Sequence, residues 1–165
     1  MENNLYRERR KALNWSLEEA AEQLFISDDK LQRIETGKQS PSAEDIMHMS
    51  EVYKAPELCN YYCHNQCDIG KENVPEIPVE ELPNVTLQLL DSLNTASDIE
   101  KMLIKITADN EISDDELEAL VNIELNLEQL ATAINALKLC IKRKSRNDGL
   151  NSQLYSEIYN RMKTE

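Results

Sequence analysis

Glycine is scarce in this chain: three in 165 residues, alongside one phenylalanine, one tryptophan and two histidines. So few glycines leave no glycine-rich phosphate loop, and with few β-branched runs they argue against a sheet. The expectation is an all-α protein. No apolar run approaches the ~20 residues that span a bilayer. The opening segment MENNLYRERRKALN is polar and shows no secretory leader. The chain therefore reads as cytoplasmic, with no membrane partner. His48 and His64 lie far apart, no nucleophile motif stands out, and the carboxylates scatter as solvated charge. Nothing here assembles an enzyme, and no cofactor is implied. Basic residues are the other shortage: 18 Lys and Arg face 31 Asp and Glu, a formal net charge of −13.

What is present is a helix, a turn and a second helix in SLEEAAEQLFISDDKLQRIETG, residues 16 to 37. Ser16 with Glu19 is a capping box that opens a helix. Leu17, Ala20, Ala21 and Leu24 follow at helical spacing, and Phe25–Ile26 end it. Ser27 can cap a second helix whose buried positions are Leu31 and Ile34, and Gly37 supplies a left-handed stop. Two short helices around so tight a turn must cross steeply, leaving the second one protruding. A protruding helix is a shape that enters a DNA major groove.

Around this pair stand Arg10, Leu13, S-L-E-E-A-A at 16–21, Ile26, R-I-E-T-G-K at 33–38, Pro41-Ser42, and Ile46, Met49 and Tyr53. On these residues, segment 5–56 resembles the Cro/repressor-type helix-turn-helix family, also called the XRE family. The resemblance covers about a third of the chain. It implies a five-helix, lambda-repressor-like head that binds double-stranded DNA, with an ion pair between Arg10 and Glu35. It places DNA contacts at Asp28, Asp29, Gln32 and Arg33, with phosphate contacts near the start of the first helix of the pair and around Lys38; Lys30 is read here as a further phosphate contact. Trp15 is expected in the small core, Pro41 in the first turn of a fourth helix, and His48 on a solvated face.

Charge complicates the reading. Non-specific DNA affinity comes largely from Lys and Arg releasing counterions. Residues 1–55 hold eight basic and eleven acidic side chains, net −3, so the remaining 110 residues carry −10. Asp28 and Asp29 suit the positive end of a helix dipole, worth roughly 0.3–1 kcal/mol each, but repel phosphates. Three readings stay open: a carboxylate accepting from cytosine N4, weak binding rescued by dimerisation, or a head that has drifted from DNA.

The domain boundaries expected are 1–70 for the head, 71–84 for a proline-rich connector, and 85–165 for a helical dimerisation region. KENVPEIPVEELPN carries three prolines and alternating acids. Val85 to Ile106 reads as one or two helices with a candidate break at Asn94–Ser97, followed by a turn at Asp109–Ser113. Ser113 with Glu116 opens a long amphipathic helix, with Leu117, Leu120, Val121, Glu124, Leu127, Leu130, Ile134, Leu137 and Ile141 at steps of three and four, Glu124 the one polar interruption, ending at Asn147 or Gly149. Tyr155, Ile158 and Met162 suggest a last short helix. The long stripe exceeds what one neighbour needs. Two such hairpins would form a four-helix homodimer; alternatively the last helix folds back over it.

Cys59, Cys63 and Cys67 at steps of four, with His64, form a candidate metal or oxidant-sensing cluster. Their competing reading is buried small hydrophobes; no metal is assigned. Residues 109–116 resemble part of a calcium loop, but Lys105, Thr107 and Asn110 fall where acids and glycine belong. The function that emerges is sequence-specific transcriptional regulation by a dimer. The alternatives are an acidic protein-interaction module on a degenerate scaffold, or a cysteine-based metal- or redox-responsive regulator.

Overall fold

The computed structural model describes residues 4–107, 111–147 and 150–164, with only the backbone of Ser97. Every regular element among them is helical. The chain divides into two compact units, Met1–Ile77 with Ile141–Glu165, and Pro78–Cys140. No helix among the described residues is long and apolar enough to cross a membrane.

Four short helices begin the first unit: α1 (Leu5–Ala12), α2 (Leu17–Gln23), α3 (Asp28–Glu35) and α4 (Ala43–Val52). Each starts on a side chain that accepts from the first-turn amides: Asn4, Ser16, Ser27 and Ser42. Ser16–Glu19 and Ser42–Asp45 are full capping boxes. Pro41 precedes the cap of α4 rather than entering its first turn. Each of the four also ends alike, in a left-handed residue after the C-cap: Asn14 (φ 58°), Phe25 (φ 52°), Gly37 (φ 71°) and Lys54 (φ 51°). The amide after each reaches back to Arg10, Ala21, Arg33 and Ser50 respectively, the Schellman closure. Only α3 has glycine there, so the shortage of glycine is felt as backbone strain at the other three.

These stops fold the helices around one core. Tyr6, Leu31, Ile34, Ile46, Met49 and Leu58 are fully buried, with Ala20, Ala21, Leu24, Tyr53 and Ala55 among them. Trp15 is half-buried, edge-on to Tyr53 with ring centroids 6.0 Å apart. Helices α5 (Glu57–Asn65) and α6 (Asp68–Asn73) complete the packing. They approach so closely that a Cβ on Gly70 would collide with the Cys63 carbonyl. The extended connector is correspondingly shorter than the sequence suggested, running from Val74 to Glu81.

The second unit is built on α7 (Leu82–Ile106), one unbroken helix through Asn94–Ser97, and on α8 (Leu117–Arg146). A 3-10 turn, Asp114–Glu116, leads into α8, with the Ser113 amide donating to Glu116 at 3.1 Å. Asp109 and Asn110 of the expected turn, and Gly149 as a helix stop, lie outside the described residues; α8 ends at Arg146. Ile99, Ile106 and Ile123 form a small core with Met102 and Ala119.

The buried face of α8 is Ile123, Ala133, Ala136 and Cys140, rotated from the leucine-rich stripe read in the sequence. Leu117, Val121, Leu127 and Ile134 of that stripe are exposed, as are Leu87, Leu90 and Leu93 of α7. Helix α9 (Ser152–Lys163) buries no side chain.

The last turn of α8 belongs to the first unit. Arg146 Nη1 donates to the Ser50 carbonyl at 2.9 Å and approaches its hydroxyl at 3.2 Å. Buried Glu57 lies between Arg9, at 2.7 Å, and Arg143, at 3.7 Å.

Candidate nucleic-acid interface

The site is the outward side of α3, and its aim is set from behind. Leu31 and Ile34 seat the helix in the core. Arg10 on α1 grips Glu35 on α3 through two hydrogen bonds of 2.7 Å, from Nε to Oε1 and Nη2 to Oε2. A third, from Nη1 to the Trp15 carbonyl at 2.8 Å, ties the same guanidinium to the loop before α2. Hydrogen bonding to Glu35 holds the Arg10 charge more firmly than usual, against burial that works the other way. The Asn4 side-chain amide adds a bond to the Ile34 carbonyl at 3.1 Å. Planar, bidentate pairing fixes orientation as well as distance, so α3 is anchored in direction and not merely in position.

Asp28, Asp29, Gln32 and Arg33 are all exposed on α3, and Lys38 is exposed just past its Gly37 stop. Neither Arg33 nor Lys38 enters an ion pair among the described residues, which leaves two free cations at this surface. Lys30 is different. Its ammonium lies 2.7 Å from Asp45, on α4, and is half-buried. Burial pushes the Asp45 carboxyl upward, but Lys30 and the Ser42 cap pull it further down, so its net shift is below the usual range. The residue read as a phosphate contact thus ties α3 to the first turn of α4. The Ser42-x-x-Asp45 capping box was a sequence signal for the position of Asp45, though not for its partner.

Carboxylates are prominent around this surface. The first turns of α2, α3 and α4 carry Glu18 and Glu19, Asp28 and Asp29, and Glu44 and Asp45. Each stabilises its own helix end; together they lower the potential that a phosphate backbone would meet.

Sequence reasoning missed the contact that the loop between α2 and α3 makes with α4. Phe25 is 88% exposed and its ring stacks on His48 of α4 at 6.0 Å and 27°. His48 is accordingly half-buried rather than solvated, with Nε2 shielded from water and from any hydrogen-bond partner.

The three cysteines do not share one helix. Helix α5 ends at Asn65, so Cys67 caps α6 instead of extending the face of Cys59 and Cys63. His64 Nδ1 lies 2.9 Å from the Val74 carbonyl. No group of three or more ligating side chains among the described residues could hold a metal ion. Burial raises the Cys63 thiol above its ordinary pKa, with Cys67 and Cys59 adding to the effect, so its thiolate is suppressed at neutral pH.

A family model described as a helix-turn-helix domain matches residues 5–58. No curated protein and no solved structure matches the chain. The matched segment is α1 to α4 with the entry to α5, and it contains the Arg10–Glu35 pair that joins α1 to α3. Residues 5–58 are a helix-turn-helix domain.

Proposed function

We propose that the chain is a Cro/repressor-type, sequence-specific DNA-binding regulator of transcription that works as a homodimer in the cytoplasm, without enzymatic activity or cofactor. The observation that carries this reading is α3, rigidly held from behind by Arg10 and presenting Gln32 and Arg33 to solvent. Arg33 and Gln32 would read base edges in the major groove. Asp28 or Asp29 would accept from a cytosine amino group, and Lys38 would sit on a phosphate. Lys30, engaged by Asp45, serves the aim of α3 first. Dimerisation would use the exposed leucines of α7 and α8, since a head with so few free cations needs two half-sites for affinity.

Fluorescence anisotropy with duplex DNA across a salt series tests the reading, followed by selection of bound sequences from a random pool. Binding that tightens as salt falls, converging on a two-fold symmetric sequence, supports it; a dimer that ignores DNA at low salt refutes it. A second reading draws on the six carboxylates at the helix starts. There the acidic face docks a basic protein, and the head is scaffold. The same titration separates the two, because this alternative predicts no DNA binding at any salt.

A further inference from the structure

Helix α9 is twelve residues long and buries nothing, yet it carries Leu154, Tyr155, Ile158, Tyr159 and Met162. Leu154, Ile158 and Met162 succeed one another at steps of four and share one face. Tyr155 stacks on Tyr159 at 6.1 Å. Met162 is 69% exposed and Tyr159 53%. An isolated helix shorter than ~12–15 residues is marginal in water, so this face gains stability only against a second surface.

The hairpin unit offers one. Between α7 and α8 lies an open cleft of about 430 Å³, lined by Gln88 and Asp91 on one side and by Leu125, Glu128, Gln129 and Ala133 on the other. Such a volume is many times that of a water molecule. Charge points the same way. Residues 78–140 hold thirteen acidic and three basic side chains, whereas α9 holds one acidic and two basic. Arg161 and Lys163 flank the apolar face of α9; Asp91 and Glu128 border the cleft.

We infer that α9 is an exchanged arm, which docks in the α7–α8 cleft of a second copy of this chain. Its apolar face lies on Leu125, and its two cations meet Asp91 and Glu128. The inference rests on the homodimer proposed above and specifies which element completes it.

Sedimentation equilibrium of the intact chain tests the arm. Ile158→Asp should raise the dimer dissociation constant at least about tenfold. Arg161→Glu with Lys163→Glu should raise it as well, more at low salt than at high. Adding Asp91→Lys and Glu128→Lys to that same chain should recover most of the loss. A dissociation constant indifferent to Ile158→Asp overturns the arm and leaves dimerisation through the outer leucines standing, while an intact chain that stays monomeric removes the dimer itself. Failure of the four-substituted chain to recover overturns the cleft as the seat. Binding of the intact chain to anionic vesicles, lost in Ile158→Asp while self-association persists, assigns α9 to a lipid surface and overturns the proposal.

Discussion

At the residue scale, strain and buried charge dominate. Phe25 occupies a conformation that costs an L-residue roughly 1–2 kcal/mol, and it sits where α3 uses glycine. Phe25→Gly should therefore stabilise the head by about 1 kcal/mol, while Gly37→Ala, which meets nothing within 4 Å, should destabilise it by a similar amount through backbone conformation alone. Urea denaturation of the two variants checks both signs. Arg10→Ala strands a buried carboxylate and should lose roughly 3–5 kcal/mol, whereas replacing Arg10 and Glu35 together with apolar residues should cost far less. Asp45 supplies a pH signature. Its carboxyl binds a proton less readily folded than unfolded, so its contribution is complete above about pH 4 and is lost as the pH falls below that. Lys30→Met should flatten this acid limb of the thermal midpoint; an unchanged limb would contradict the Lys30–Asp45 pairing.

At the element scale, α8 separates two kinds of apolar position. Ile123 is packed with Ile99 and Ile106, so Ile123→Ala should loosen the hairpin by about 2–5 kcal/mol. Val121, exposed two residues earlier, should tolerate Asp in the fold but lose self-association, measured by light scattering beside circular dichroism. The contrast explains what the sequence disclosed and what it did not. Caps and periodicities are local, so Ser16, Ser27, Ser113 and Gly37 were legible as helix starts and stops. The buried face of α8 was not, because Ala133, Ala136 and Cys140 are small, and the larger leucines beside them draw the eye to a different side. Nor was the continuity of α7, since Asn94 and Thr95 sit on an exposed face where polar residues do no harm. Lys30 was legible as a cation on α3 but not as the partner of Asp45, fifteen residues away. Phe25 was seen as the end of α2, but its left-handed backbone has no signature in a phenylalanine.

At the scale of the whole molecule, charge governs the expected behaviour. A chain of net −13 would approach DNA against its own field, so on the proposed reading non-specific coating should be weak beside binding to a selected sequence. Lys38→Ala should weaken binding evenly across sequences and reduce the salt slope by about 1 per head. Arg33→Ala should cost about 1–3 kcal/mol and relax preference at one base position. The account's central claim is that α3 is the surface that meets DNA. Amide chemical-shift mapping during titration with a selected duplex tests it most directly. The account predicts perturbations concentrated from Ser27 to Lys38; shifts absent there, or confined to α7, α8 and α9, would contradict it.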